Sequence, residues 1–333
     1  MNVIQRPRPR EFCGTMQDYI IDTDVTITFA VEYGKRKILD EEYVPDANNQ
    51  VRVRKLGRFC ALALWGVWMA NDPTPQSDAA GTFIFYINGV KDCESLVMYS
   101  RLETRKNADT PGILSEVCQK VARRGTHEFV SGWLIPDDAG AKYTVTAHLA
   151  DGQQKTVSVV PKVTDTKVPL TIDASVDKLE KAHKWTEVER YSVTMAGGSI
   201  EFLVDASVYA RVWQFRFKNV YDMPEVLTCT GLLKLTGNNQ SDTASMFGIE
   251  RKFGIKVTDE YTIKSGPIYL QSDYKLWHNL LNAQQVSLWV QDRWVDIVIT
   301  KQKFERTYNR SHFTGAEFSF RMADPDQNNL LEL

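Results

Sequence analysis

Three turn signals, each set between runs of alternating apolar and polar residues, restrict this chain to antiparallel sheet more than any other feature. In TFIFYINGVKDCESLVMYS the pair Asn88-Gly89 separates two such runs. Asn-Gly accepts the positive φ angles of a type I′ turn, so the flanking alternation folds back on itself as a hairpin. YTVTAHLADGQQKTVSVVP repeats the device with Asp151-Gly152, and YSVTMAGGSIEFLVD repeats it with Gly197-Gly198. Upstream, Val25–Val31 alternates with period two, as a strand with one wet face must. A turn at Gly34-Lys35 leads into Lys37–Tyr43, and Val51–Arg54 alternates again.

Helical spacing is scarce. A short helix fits within Lys55–Met69 and a second within Ile113–Arg124, where Ile113, Val117 and Val121 are four apart. The clearest spans Ser272–Ala283: Ser272 caps it, and Leu276, Trp277, Leu280 and Leu281 form one apolar stripe. Pro161 and Pro169 flank a polar stretch that reads as a linker. Beyond it the pattern predicts strands over Ser207–Asn219, Val226–Thr236 and Gly248–Ile263, then a meander through Val286–Val290, Trp294–Phe304 and Phe313–Met322. Without βαβ alternation, a doubly wound parallel sheet is disfavoured. The expected fold is mainly β: two antiparallel β-sandwich or barrel-like domains with a few short helices, residues 1–163 and 168–333, the second carrying the helix near 272–283. Thr104–Pro111 reads as a loop.

Charge narrows the partners. Of 40 Lys+Arg and 42 Asp+Glu, each half of the chain cut after Asp165 holds 20 and 21, so neither half is a basic nucleic-acid domain. The local exception is Arg6, Arg8 and Arg10, which alternate with Pro7 and Pro9 and read as a solvated terminal arm, or one that docks on a neighbour or a polyanion. Cys13, Cys60, Cys93, Cys118 and Cys229 form no CxxC pair, which fits reduced thiols in a cytosolic product. The N-terminus shows no apolar signal region, and the longest apolar stretch, Phe59–Ala70, is too short to span a bilayer.

The motifs of common chemistries are missing. There is no GxGxxG, no GxxxxGK[ST] and no GxSxG. His127, His148, His183, His278 and His312 lie far apart without HxH or HExxH, so no metal set is expected. Asp324-Pro325-Asp326-Gln327-Asn328 opens like a calcium loop but lacks the glycine and the closing glutamate. Asp40, Glu41 and Glu42 face Lys35, Arg36 and Lys37 across a turn, as cross-strand pairs do. Trp65, Trp68, Trp133, Trp185, Trp213, Trp277, Trp289 and Trp294 suit core packing better than a sugar platform. Arg211–Lys218 interleaves basic and aromatic residues but reads as a strand with one wet face. No catalytic, cofactor-binding or metal residue is assigned, and no ligand-binding residue can be named.

GKRKILDEEYVPDANNQVRVRKLG followed by TFIFYINGVK, and FKNVYDMPEVLTCTGLLKLTG followed by WVDIVITKQKFERTYNRSHFTGAEFSFRMADP, resemble proteins encoded by prophages and mobile elements of gut Bacteroidetes, in particular tail or baseplate components. The resemblance is one of outline, without a diagnostic motif. It implies a virion-associated structural part that carries no catalytic residues and stacks or forms rings through strand edges. The expected function is therefore non-enzymatic assembly, with the chain itself and other virion or assembly proteins as partners and without cofactor, nucleic acid or membrane. A carbohydrate-binding or adhesive β-sandwich is the alternative.

Overall fold

The computed structural model describes residues 1–64, 74–101, 112–136, 140–162, 166–270, 273–304 and 315–324. They form five sheets. The N-terminal part holds a three-stranded antiparallel sheet of β1 (Asn2–Gln5), β3 (Tyr19–Asp22) and β6 (Gln50–Val53). Beside it is a five-stranded sheet in the order β2 (Arg10–Phe12), β9 (Val90–Met98), β8 (Ala80–Ile87), β4 (Ile27–Tyr33), β5 (Arg36–Tyr43), with β2 parallel to β9. Tyr19, Phe29, Phe83 and Phe85 close the core between them, and helix α1 (Leu56–Leu64) adds Leu56, Cys60 and Leu64.

The second five-stranded sheet runs β10 (Gln119–Arg123), β16 (Gly198–Asp205), β15 (Val188–Met195), β12 (Tyr143–Leu149), β13 (Gln154–Val159). A small sheet joins β11 (Phe129–Gly132), β14 (Leu170–Asp173) and β7 (Thr74–Pro75). The largest sheet has seven antiparallel strands: β18 (Pro224–Cys229), β17 (Trp213–Lys218), β21 (Val286–Val290), β22 (Arg293–Lys303), β23 (Glu317–Met322), β20 (Ile249–Lys264) and β19 (Leu233–Met246). Helices α2 (Val176–His183) and α3 (Asp273–Leu281) complete the described elements. The chain is thus β-rich and sandwich-like, and no closed barrel occurs among the described residues.

Each hairpin read from the sequence forms. Asn88 and Gly89 take φ of 50° and 76°, and Ile87 pairs with Val90 across them. Gly152 turns β12 into β13 and Gly197 turns β15 into β16. Five expectations change. Of the strand expected over Ser207–Asn219 only Trp213–Lys218 forms. The Arg-Pro terminus is tied into the sheets rather than free: β1 pairs with β3, Arg10 pairs with Leu96, and the Arg6 guanidinium holds the Asp92 carboxylate through bonds of 2.7 and 2.8 Å. The segment Ile113–Arg124 is not helical. Gln119–Arg123 is strand β10, parallel to β16, because Lys120 and Ala122 both turn inward at strand spacing.

The fourth difference concerns the division of the chain. β12 and β13 precede Pro161, yet they share a sheet with β15 and β16, and one buried cluster runs from Val117 to Met322. The other large core ends at Tyr99, so the cores change over between Tyr99 and Val117 rather than at Pro161–Pro169. Prolines stop a strand whether the chain is leaving a sheet or leaving a domain, and here the chain leaves a sheet. Fifth, Val226–Thr236 is two strands. A Cβ on Gly231 would sit 2.4 Å from the Lys264 carbonyl oxygen, so the chain crosses there at glycine and β19 starts afresh at Leu233.

Candidate assembly surface

Strands β19 and β20 form a hairpin far longer than any other among the described residues. Leu233 pairs with Ile263 at its base and Met246 with Ile249 at its tip. The base belongs to the body: Tyr261 and Ile263 are buried, and Tyr261–Lys264 pair with β23. Beyond it, every side chain described from Lys234 to Lys256 is exposed. Among the described residues β19 has no strand partner other than β20. This arm is polar along much of β19, but Leu235, Met246, Phe247, Ile249, Phe253 and Ile255 are large, apolar and exposed.

The arm also changes face along its length. Two residues of β20, Gly254 and Ile255, lie opposite Ser241 alone, and Gly254 takes φ +58°. One extra residue reverses which side of a ribbon a given parity occupies. Leu235 and Tyr261 therefore share the core-facing side, whereas Met246, Ile249 and Phe253 share the opposite side with Asp242 and Arg251. At the tip Phe247 and Gly248 take φ of 54° and 77°. Other non-glycine residues at positive φ in the described chain are Lys, Asn, Glu, Asp or Gln; Phe247 alone is apolar, and it is 98% exposed. A bulky side chain is disfavoured in that conformation.

The densest set of titratable side chains lies elsewhere, where β10, β11 and β18 meet. Lys120 donates to Glu128 at 2.6 Å and to the Val226 carbonyl at 3.0 Å, and the Ser115 hydroxyl donates to Glu225 at 2.5 Å. All three charged side chains are buried, and Glu225 Oε2 has no hydrogen-bond partner among the described residues. Burial pushes the Glu128 carboxyl up to about 7 and raises Glu225 too, against the opposing pull of Lys120. Arg123 continues the cluster to Asp205 at 3.1 Å. The adjoining cavity is about 20 Å³, room for roughly one water. Two acids and one base in so small a space tie β10, the approach to β11 and β18 together.

The candidate residues of the sequence stay apart. His127 packs between Trp289 and Trp294 at 4.4 and 5.5 Å and its Nδ1 meets Gln214 at 3.0 Å; His183 packs on Trp185 at 4.7 Å. His148 lies in β12 and His278 in α3, while His312 lies outside the described residues. No group of three or more His, Cys, Asp or Glu able to hold a metal occurs among the described residues. Asp40 pairs with Lys37 at 2.8 Å and the Tyr43 hydroxyl donates to Glu41 at 2.8 Å, so these contacts run along β5 rather than across the turn. Arg211 and Arg216 cover Trp213 and Trp294, at 4.4 and 4.8 Å, so Arg211–Lys218 offers no open aromatic platform. Trp133, Trp185, Trp213 and Trp277 are buried and Trp289 and Trp294 half-buried; Trp65, Trp68, Thr104–Pro111, Ser272 and the tail beyond Asp324 lie outside the described residues. The described cysteines are all free. No helix among the described residues is long and apolar enough to cross a membrane.

No protein-family model matches the sequence, and comparison with curated proteins gave no match. The arm was only half legible beforehand. The sequence predicts strands over Val226–Thr236 and Gly248–Ile263, but Phe247-Gly248 lacks the Asn-Gly or Asp-Gly signature, and alternation has the same form whether its apolar side is buried or bare.

Proposed function

We propose that this chain is a non-enzymatic assembly protein, a phage-tail-like component that works through contacts with its own copies and with other particle proteins. One observation carries the reading: six large apolar side chains stand exposed on an arm that the chain's own cores do not use. Exposed apolar surface of that extent marks an interaction site in a stable protein. The titratable cluster supports it from the other side, being sealed and committed to joining sheets. A glycan platform gains nothing from the six described tryptophans, none of which is exposed.

Light scattering on the purified full chain, with electron microscopy of the same fractions, tests the proposal. The expected result is discrete species heavier than the 38.0 kDa monomer, growing with concentration. A strict monomer at every concentration, alone and after mixing with particle proteins encoded beside it, overturns it.

A further inference from the structure

We propose that the arm is a self-association element: two copies pair antiparallel along their β19 edges, the tip of each lying against the base of the other. The inference rests on the assembly reading and gives it a partner, a second copy of this chain.

The edge itself points to strand addition. Proteins guard open edges with lysine, proline or inward charge. β5 carries Arg36, Lys37, Asp40, Glu41 and Glu42, and the outer strand β13 carries Lys155. From Leu235 to Met246, β19 has no proline and no lysine, and Asp242 is its one charge. That stretch of about twelve residues offers roughly 40 Å of edge at about 3.3 Å per residue, long enough for the roughly 1,000 Å² of a specific interface.

The ends of the arm are what make a second copy the fitting occupant. A strand related to itself by a two-fold axis runs antiparallel to its copy, so its C-terminal end meets the copy's N-terminal end. The tip presents Met246, Phe247 and Ile249; the base presents Leu232, 81% exposed and of the same parity as Met246. With Leu232 opposite Met246 of the copy, the two apolar ends meet twice on the distal face, and Asp242 falls opposite Thr236 rather than opposite itself. The strained turn gains its reason as well, since antiparallel pairing brings the exposed Phe247 to the end of the arm that meets the copy's base. Lipid fits less well: Asp242 and Arg251 share the distal face with Phe253 and Ile249 and would enter the hydrocarbon with them. Polyanions fit less well because arm residues 233–264 carry Lys234, Arg251, Lys252, Lys256 and Lys264 against Asp242, Glu250, Asp259 and Glu260, five bases to four acids.

Sedimentation of the full chain decides the matter with two variants and a cross-link. Phe247→Asn puts a residue at the tip that suits positive φ, so the unfolding midpoint should hold or rise while self-association weakens at least about tenfold, as loss of an aromatic anchor does. Excising 239–257 and joining Asn238 to Thr258 through Asn-Gly should leave the body folded and abolish the dimer. Mixed isotope-light and isotope-heavy copies should cross-link Lys234 of one to Lys252 of the other. Self-association unchanged in both variants overturns the inference and leaves the assembly reading standing. A wild type that is monomeric alone but joins other particle proteins overturns the inference only; one that stays monomeric with them as well overturns both. A chain that stays monomeric yet floats with neutral phosphatidylcholine vesicles through Phe247 overturns the inference in favour of lipid.

Discussion

The β8–β9 hairpin and the β19–β20 arm are written in the same language and are put to opposite uses. Both turn through two residues at positive φ ending in glycine and both contain a register shift, but β8 and β9 alternate apolar and polar residues whereas β19 carries no large apolar residue between Leu235 and Met246. In β8–β9 the apolar parity faces inward: Phe83, Phe85 and Val97 are fully buried, and Phe85 lies 5.8 Å from the Tyr19 ring and 6.4 Å from that of Phe29. The Tyr19 hydroxyl reaches Asp92 on β9, which also holds Arg6, so this hairpin organises the N-terminal strands around it. In the arm the apolar residues beyond Leu235 face water. Binary pattern therefore specifies that a ribbon has a dry side, and the surroundings decide whether that side is dried by the same chain.

The sharpest way to break the comparison is to truncate matching phenylalanines. Phe85→Ala should cost about 3–5 kcal/mol in urea unfolding, the cost of emptying a packed aromatic site, whereas Phe253→Ala should stay within about 0.5 kcal/mol. Similar losses at both would show that the arm is structural to the monomer. Next comes the charged joint, which belongs to the body alone. Lys120→Met leaves Glu128 and Glu225 buried without their cation and should cost about 3 kcal/mol at pH above about 7. Below about 4.5 the cost should shrink, because a protonated carboxyl needs no cation. The sign for the wild type follows from the same shift. The folded chain holds the Glu128 proton up to about 7 and the unfolded chain only to about 4.5, so this group's share of stability falls as pH rises between those values and is level outside them. Chemical denaturation across that window should show the fall, and Glu128→Gln should flatten it. The smallest effect contrasts the turns. Gly89→Ala and Gly248→Ala both force alanine to positive φ at about 1 kcal/mol. Only Gly89→Ala should lower the global transition, while Gly248→Ala should speed amide hydrogen exchange near the tip and leave the body untouched.

Much of the architecture was legible because its turns are local chemistry: Asn88-Gly89, Asp151-Gly152 and Gly197-Gly198 each state their conformation within two residues. The parts that were not legible depend on distant partners. Lys120 looks like a surface residue of a helix until Glu128, Glu225 and the Val226 carbonyl surround it. Arg6 looks like a loose terminus until Asp92 meets it from the far end of a hairpin. Helix α2 was missed although Asp177 in its first turn and Lys181 and His183 in its last suit its dipole, because Val176 and Leu179 are too few to reveal a stripe. The arm's nakedness had no local signal at all; only the positive φ at Phe247, a backbone fact, distinguishes its tip from an ordinary turn.

The parallel pairing of β10 with β16 has a consequence for how the chain is made. Gln119 lies opposite Glu201, 82 residues later, and no two-residue turn can bring them together. A ribosome adding roughly 5–20 residues per second needs several seconds to supply the missing neighbour. During that interval β10, which carries Lys120, waits in the nascent polypeptide without its sheet, while the core that ends at Tyr99 already has all its strands. Synthesis order thus sets an assembly line in which the amino-terminal module can mature first and the larger one closes only when its last strand, β23, has emerged.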